Sequence, residues 1–163
     1  MHDAAPTPQQ LRHALGRFTT GVTIVTCRDG AGAPAGLTAN SFSGVSLDPP
    51  LVLWSLRRAS PNLPVFNAAA FFTVNVLAES QVDLSRRFAS AAAEKFAEGL
   101  WTDGRNGAPV LAGCAAVFEC ETVSRQDAGD HLLFIGRVLS ATESHLPPLV
   151  FQSGHYHMLG EVV

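Results

Sequence analysis

The segments 111-LAGCAAVFECETVS-124 and 131-HLLFIGRVLSAT-142 are the two longest predicted strands of this chain. Both are rich in the β-branched and aromatic residues that favour strands. The residues between them, 126–130, include Gly129 and Asp130 and predict a turn. Two long strands joined by a short turn form an antiparallel pair, because a short connection cannot reach the start of a parallel strand.

The rest of the chain also predicts mainly strands, each bounded by turn-forming residues. These strands cover 22–27, 36–45, 51–56 and 71–77, with one or two short strands after Pro147. Because strands and helices do not alternate, the predicted fold class is mainly β, an antiparallel Greek-key or split β-barrel. We expect about six or seven strands. No linker or repeat interrupts the sequence, so residues 1–163 are assigned to a single domain.

The predicted helices are few and peripheral. Thr7 caps the first, with Gln10 completing a capping box. Ser60 and Pro61 open a short second helix, and Ser80 caps a third. Residues 101–107 are predicted to form a polar loop.

The composition indicates what covers the surface. Hydrophobic residues make up 47% and charged residues 15% of the chain, whereas charged residues are about 25% of typical soluble proteins. A chain with so little charge is expected to bury part of its surface against another copy of itself, and a homodimer is therefore predicted.

Charge and hydropathy exclude two classes of partner. The net charge is −3 and the pI about 6.0, which is unlike the basic surface of a nucleic-acid-binding protein. No apolar run approaches the roughly 20 residues that cross a bilayer, and residues 1–8 do not resemble a signal peptide. Cys27, Cys114 and Cys120 are odd in number and scattered, as expected of apolar fillers in the cytoplasm.

Three apparent site motifs are set aside. Residues 30–35 match a loose dinucleotide pattern, but Pro34 interrupts it and a strand follows where a helix is required, so a hairpin turn is predicted. His155 and His157 share a strand face without further ligands at metal-binding spacing. No serine lies in a Gly-x-Ser-x-Gly nucleophile elbow.

Polar clusters at strand ends are the remaining candidates. Thr38, Asn40 and Ser41 offer donors and acceptors to the edge of a planar heterocycle, although an edge strand facing water has the same pattern. A cluster around Arg57 and Arg58 can hold a phosphate, and a solvated turn fits it equally. The basic group that includes Arg87 and Lys95 also fits a solvated helix face, and His131 also fits an ordinary turn.

Taken in order, these segments resemble the short-chain flavin reductase family, the reductase components of two-component flavin monooxygenases. The matching stretches span nearly the whole chain. They are 16–26, 36–46, 48–53, 72–77, 85–88, 94–96, 129–131 and 148–151, with Gly154 and Tyr156.

The resemblance implies an FMN-binding split barrel that holds FMN or FAD noncovalently. The flavin ring and ribityl chain would lie along Pro34, Ala35, Gly36, Leu37, Thr38, Asn40 and Ser41. The ribityl-phosphate side would be wrapped by Ser55, Leu56, Arg57, Arg58, Ala59 and Ser60. The phosphate or adenylate half would be held by Arg87, Ala89 and Lys95, and the nicotinamide would be bordered by His131, Phe151, Gln152, Ser153 and Gly154.

The implied activity is that of an NAD(P)H:flavin oxidoreductase that supplies reduced flavin to a separate monooxygenase. Hydride transfer between NADH or NADPH and the flavin requires no protein acid, base or nucleophile, so His131 is expected only to position the nicotinamide. Ser153 stands where family members often have an arginine, which leaves the choice between NADH and NADPH open. The alternatives are a flavin-binding electron carrier or sensor that oxidises no nicotinamide, and a reductase of ferric iron or a corrinoid.

Overall fold

The computed structural model describes residues 5–92, 94–96 and 99–163. Within them lie three α-helices, α1 Pro8–Gly16, α2 Leu63–Ala68 and α3 Val82–Ala89. The strands are β1 Thr20–Gly21, β2 Thr23–Arg28, β3 Pro34–Ala39, β4 Ser43–Leu47, β5 Pro50–Arg57, β6 Phe71–Val76, β7 Trp101–Asp103, β8 Pro109–Leu111, β9 Ala116–Ala128, β10 His131–Glu143, β11 Val150–Gln152 and β12 His155–His157.

One seven-stranded sheet dominates the structure, in the order β3-β2-β6-β9-β10-β5-β4. All neighbouring strands in it are antiparallel. The two end strands, β3 and β4, are joined by residues 40–42. In this connection the Ser41 hydroxyl accepts a hydrogen bond from the Ser55 N–H of β5 (2.9 Å) and donates one to the Ser55 carbonyl (3.1 Å). The predicted fold class, an antiparallel split barrel with few helices, is confirmed; the single-domain assignment stays a prediction.

The long β9–β10 hairpin is confirmed, but the strand predicted over 111–124 is shifted: Leu111 ends β8, and β9 begins only at Ala116 and continues to Ala128. His131 pairs with Ala128, so the turn contains only Gly129 and Asp130, with Gly129 at φ 61°. The predicted turn at 126–130 was too long because polar residues were taken as turn residues. In the structure they extend the ladder at its exposed end, where a strand needs no apolar face.

The predicted strand over 36–45 is wrong in one respect, since it is divided in two. β3 ends at Ala39 and β4 begins at Ser43. Residues 40–42 leave the ladder with β2, and the chain crosses to pair with β5 instead. The Ser41–Ser55 hydrogen bonds replace the strand pairing that is lost there.

The second and third helices begin later than predicted. Ser60 is not the cap of α2, which starts at Leu63; the Ser60 hydroxyl instead accepts from the Asn62 N–H (3.2 Å) and stabilises the preceding turn. Ser80 lies within a short 3-10 turn before α3, where the Gln81 side chain accepts from the Ala78 N–H (2.9 Å). The serines were misassigned because neighbouring residues make the competing local hydrogen bonds.

Two further local predictions have clear outcomes. The Thr7–Gln10 capping box of α1 is confirmed in both of its hydrogen bonds. The polar loop predicted over 101–107 is wrong at its start, because β7 pairs with β8 as a small hairpin. Arg28 fixes this hairpin through an ion pair with Asp103 and a bond from its Nε to the Gly107 carbonyl (2.7 Å).

The residues of the barrel interior form the main core, centred on Trp54. The Trp54 ring stacks on Phe134 with centroids 4.7 Å apart and packs edge-on to Phe66 at 5.0 Å. Burying each such side chain contributes about 1.5–3 kcal/mol to stability. A second core, which includes Ile24, Leu77 and Phe88, lies between the sheet, α3 and the carboxyl-terminal strands. This second core fixes α3 beside β3.

Among the described residues, no helix is long and apolar enough to cross a membrane. Residues 1–4 of the polar amino terminus, and Ala93 of the small-residue stretch after α3, lie outside the described residues.

We expect Gly136→Ala to destabilise the fold. A β-carbon at Gly136 in β10 would collide with the Phe72 ring, which is fully buried, and would lie 3.1 Å from Cys120 Cβ. Overpacking of this kind costs about 1–3 kcal/mol. The matched control is Gly44→Ala, where a β-carbon meets nothing within 4 Å. Thermal unfolding should show a lower midpoint only for Gly136→Ala; equal midpoints for the two variants would contradict this packing.

Candidate functional site

The candidate site is a cleft along the open edge of β3. β3 is the terminal strand of the seven-stranded sheet and is paired only with β2. Among the described residues, the backbone N–H and C=O groups on its other edge have no strand partner, because only one side of a terminal strand is paired. Two cavities of about 630 Å³ and 490 Å³ follow this edge, and both are lined by Leu37, Thr38, Ser60 and Pro61.

The two cavities, here called the β3 cleft, bring together most of the residues predicted to bind the flavin. The larger cavity is lined by Pro34, Ala35, Gly36, Leu37, Thr38, Ser60, Ala89 and Lys95 of that set. The smaller one is lined by Leu37, Thr38, Asn40, Ser41, Ser55, Leu56, Arg57, Ala59 and Ser60.

Helix α3 forms one wall of the β3 cleft. The Thr38 hydroxyl donates to the Ser85 carbonyl (2.6 Å), which ties β3 to the helix. Gly36 permits this close approach, since a β-carbon there would lie 2.9 Å from Phe88 Cε1 and 3.2 Å from Phe96 Cζ. The Phe88 and Phe96 rings pack edge to face with centroids 5.1 Å apart and give this wall an apolar surface.

Several residues of the α3 wall and the facing loop were not predicted from the sequence as site residues. All of them except Ala39, the last residue of β3, are distant from β3 in sequence, and only packing brings them to the cleft. Two features of the sequence could have indicated them: the apolar face of α3, and the presence of Phe88 and Phe96 in the stretches that carry the family resemblance. The unassigned lining residues are Ala39, Pro61, Asn62, Phe88, Ser90, Ala91, Ala92 and Phe96.

Two cations, Arg57 and Lys95, line the β3 cleft. Lys95 Nζ donates to the Phe88 carbonyl (3.3 Å), and burial lowers the pKa of Lys95 below its usual value. An anion bound beside this ammonium group would favour its charged form. The cleft therefore combines an apolar wall, a polar strand edge and positive charge.

Arg58 and Arg87 were also predicted to hold the phosphate, but neither lines the β3 cleft. The Arg58 guanidinium forms an ion pair with Asp127, and its Nε donates to the Gly129 carbonyl (3.2 Å). Arg58 thus joins the loop after β5 to the β9–β10 hairpin. Arg87 is half-buried on α3. The roles predicted for these two side chains remain predictions.

His131 lines neither cavity of the β3 cleft, but it is adjacent to Arg57, which lines the smaller one. The two residues are direct neighbours across the β10–β5 ladder. His131 Nδ1 is 2.7 Å from an Asp130 carboxylate oxygen, and this hydrogen bond lowers the pKa of Asp130. The imidazole is 37% exposed. Asp130 restrains the ring while leaving Nε2 available for another partner.

The carboxyl-terminal residues predicted to border the nicotinamide lie outside the β3 cleft. Phe151, Ser153 and Gly154 line a separate cavity of about 580 Å³ against α1. Gln152 pairs with His155 in the β11–β12 ladder. One side chain connects the two regions: the Tyr156 hydroxyl lies 2.8 Å from the Ser85 hydroxyl behind the α3 wall.

The residue types set aside in the sequence show no reactive environment. Cys27, Cys114 and Cys120 are buried free thiols, and burial raises the pKa of each to about 12, so none is a thiolate at neutral pH. His155 and His157 are exposed on β12. Across the described parts of the chain, no group of three or more His, Cys, Asp or Glu side chains could hold a metal ion.

Comparison with known families identifies the protein class. Residues 15–160 match the family described as the flavin reductase like domain. The chain belongs to this family. The resemblance seen in the sequence is therefore confirmed, and the site lies within the matched residues.

Three relatives illustrate the similarity. The chain is 46% identical over 149 residues to a Rhizobium meliloti protein named "Probable flavin reductase", covering 91% of this chain and 48% of that protein. It is 44% identical over 148 residues to an FMN reductase (NADH) from Agrobacterium fabrum, covering 91% and 84%. It is 43% identical over 155 residues to the reductase component of a flavin-dependent trigonelline monooxygenase from Acinetobacter baylyi, covering 94% and 50%. The chain thus spans about half the length of two of these relatives.

A solved structure shows the same fold over almost the entire chain. It is the NADH:FAD oxidoreductase of Streptomyces globisporus in complex with NAD and FAD fragments, with 35% sequence identity and a TM-score of 0.89. The similarity covers 97% of this chain and 98% of that one.

Proposed function

We propose that this chain is an NAD(P)H:flavin oxidoreductase that binds FMN or FAD noncovalently in the β3 cleft. The observation that carries the proposal is the cleft itself, an unpaired strand edge facing an apolar wall with Lys95 at one end and Arg57 at the other. The family membership and the relatives that use NADH with FMN or FAD support the same conclusion.

The residues present in the β3 cleft fit a flavin. A flavin needs a flat slot for its ring, polar partners for the ring edge and a positive charge for its phosphate. Leu37, Phe88 and Phe96 supply apolar surface, and the β3 edge with Asn40 supplies donors and acceptors. Lys95, which has no carboxylate partner among the described residues, supplies charge.

A bound flavin would supply the hydride acceptor and a nicotinamide the hydride donor, so the protein needs to hold the two rings about 3–3.5 Å apart and exclude water. The β3 edge and the α3 wall would hold the flavin ring along its edge. His131, restrained by Asp130, can donate or accept a hydrogen bond at Nε2 and orient a carboxamide at the end of the cleft. No described residue has to transfer a proton during hydride transfer.

The proposed partners are a second copy of this chain and a separate flavin-dependent monooxygenase. The monooxygenase is proposed from relatives named as reductase components. The homodimer is supported by apolar side chains that the isolated chain leaves exposed, among them Leu15 (64%), Phe18 (78%) and Leu47 (96%). Location in the cytoplasm stays a prediction, which the three free cysteines fit.

The proposed activity is tested by oxidation of NADH and NADPH with and without acceptors. We expect absorbance at 340 nm to fall when FMN or FAD is added, with ferric iron or a corrinoid reduced only through the flavin. Flavin binding without nicotinamide oxidation would identify an electron carrier or sensor and contradict the proposal. Direct reduction of ferric iron or a corrinoid would assign a different acceptor.

Asn40→Leu is expected to weaken flavin binding. The substitution removes a polar group and adds apolar bulk to the smaller cavity of the β3 cleft. Losing one hydrogen-bond partner costs about 0.5–3 kcal/mol, which is a few-fold to roughly a hundredfold in Kd. The control is Asn67→Leu, at an exposed position of α2 outside both cavities. If fluorescence titration gave the wild-type Kd for Asn40→Leu, the flavin would not contact this position and the proposed placement would be contradicted.

His131→Ala is expected to raise the KM for the nicotinamide more than it changes the Kd for flavin, because His131 is proposed to orient only the nicotinamide. The expected loss is about 1–2 kcal/mol in kcat/KM, roughly five- to thirtyfold. His145→Ala, an exposed histidine outside the β3 cleft, is the control. An unchanged kcat/KM would show that His131 is a turn residue without a role in nicotinamide binding. A loss of several orders of magnitude in kcat would show that His131 takes part in the chemical step and does not merely position the substrate.

A further inference from the structure

Helix α3 forms one wall of the β3 cleft, and its position depends on contacts with other elements. The helix has eight residues, and no described side chain caps its amino end. Helices this short are marginal on their own in water. The last turn of α3 supplies Phe88 and Ala89 to the lining of the cleft. The contacts that hold α3 therefore also determine how closely its wall faces β3.

Ser85, in the middle of α3, is hydrogen-bonded on two sides. Its carbonyl accepts from the Thr38 hydroxyl of β3 (2.6 Å), and its hydroxyl lies 2.8 Å from the Tyr156 hydroxyl of β12. Ser85 is fully buried, and a buried hydroxyl that loses its partner is destabilising. The helix is thus held between the edge of the seven-stranded sheet and the carboxyl-terminal strands.

Tyr156 also contacts the residue that follows Ser85. The Arg86 guanidinium lies 5.6 Å from the centroid of the Tyr156 ring, within the range of a cation–π contact. The same ring packs edge-on to Phe151 with centroids 5.5 Å apart, which restrains it. Tyr156 therefore meets α3 through both its hydroxyl and its ring.

The strand that carries Tyr156 belongs to a different sheet from β3. β12 is an end strand of the three-stranded sheet β1-β11-β12, in which Tyr156 pairs with Phe151. Tyr156 is 71 residues from Ser85 in sequence and lines neither cavity of the β3 cleft. An effect of Tyr156 on a ligand in the cleft therefore passes through α3.

We propose that Tyr156 is a positioning residue for the flavin: by holding Ser85 it fixes the α3 wall against β3, and this wall holds the flavin ring. The inference rests on the proposed function, since it takes the flavin to be the ligand of the β3 cleft. It gives the β11–β12 hairpin a role on the flavin side of the site, whereas the family resemblance places residues 151–154 beside the nicotinamide. Tyr156 transfers no proton and contacts no reacting atom.

The central test is Tyr156→Phe, which removes the hydroxyl and keeps the ring beside Phe151 and Arg86. We expect the Kd for FMN to rise roughly three- to tenfold, the scale of one intramolecular hydrogen bond. The visible circular dichroism of the FMN-saturated protein should also change, because the wall beside the bound ring is held less firmly. A loss of stability alone would leave this signal unchanged at temperatures where both proteins are folded.

The matched control is Ser144→Ala. It removes a hydroxyl that donates to the Cys114 carbonyl (2.9 Å), at a position outside both cavities. Its Kd for FMN and its visible circular dichroism should equal those of wild type. Equal changes in Ser144→Ala and Tyr156→Phe would show a general effect of destabilisation and would overturn the inference.

The hydroxyl pair itself is tested by adding Ser85→Ala. The single variants Tyr156→Phe and Ser85→Ala each leave one hydroxyl without its partner, whereas the double variant removes both, which can be nearly neutral. We therefore expect the Kd for FMN of the double variant to be no higher than that of either single variant. If the Kd ratios of the single variants multiplied in the double variant, the two hydroxyls would act independently and the inference would be overturned.

Hydrogen exchange without flavin separates this inference from the proposed function. The α3 amides should exchange faster in Tyr156→Phe than in wild type, and at the wild-type rate in Ser144→Ala. A wild type that binds neither FMN nor FAD would contradict the proposed function, while faster exchange in Tyr156→Phe would still support the hold of Tyr156 on α3.

Two further results would overturn the inference and leave the proposed function standing. The first is a wild type that binds FMN, with the same Kd and visible circular dichroism in Tyr156→Phe. The second is a normal Kd for FMN in Tyr156→Phe with a raised KM for NADH, which would assign Tyr156 to the nicotinamide.

Discussion

The pair of hydrogen bonds between the Ser41 hydroxyl and the Ser55 backbone is the contact on which the candidate site depends. It holds the ends of the seven-stranded sheet together where the chain leaves β2 and crosses to β5. Beyond this contact β3 has no second strand partner in the described part of the chain, and its free edge becomes a wall of the β3 cleft. A sheet that closed completely would have paired this edge and left no polar backbone for a ligand.

The position of the β3 edge is fixed from behind by buried side-chain hydrogen bonds. Asn75 donates to the Ile24 carbonyl (3.0 Å) and accepts from the Leu111 N–H (2.9 Å), which joins β6 to β2 and β8. Thr38 bonds to α3, and Gly36 lets the Phe88 and Phe96 rings lie against the strand. Because buried polar groups are costly when unpaired, these contacts restrict β3 to one position.

Much of the candidate site could be predicted from order along the chain, because β3 and the loop after β5 each supply a continuous run of lining residues. Residues 34–38 and 55–60 line the cleft with the exception of Arg58, whose partner Asp127 lies on a hairpin far away in sequence. Phe88 and Phe96 were not assigned, since they act through packing on Gly36 and carry no polar signal of their own. Phe151 and Gly154 were predicted to border the nicotinamide, but they line a cavity against α1 outside the β3 cleft.

The sequence by itself determined the fold class, most of the strand segments, the capping of α1 and the family, because alternation, β-branched content and turn residues act over short distances. It also predicted that the cysteines are fillers, which follows from residue type and scatter. Only the tertiary structure decided that the strand predicted over 36–45 divides at 40–42, that Ser60 and Ser80 do not cap helices, and that α1 and the β11–β12 turn enclose a separate cavity. The first and last of these depend on partners brought from elsewhere in the chain, Ser55 for Ser41 and Gly16 for Ser153. The two serines depend instead on a choice among local hydrogen bonds, such as that from the Ala78 N–H to the Gln81 side chain. The residue type and its neighbours in sequence limit the hydrogen bonds that a residue can form. Packing in the folded protein determines which of these hydrogen bonds is formed.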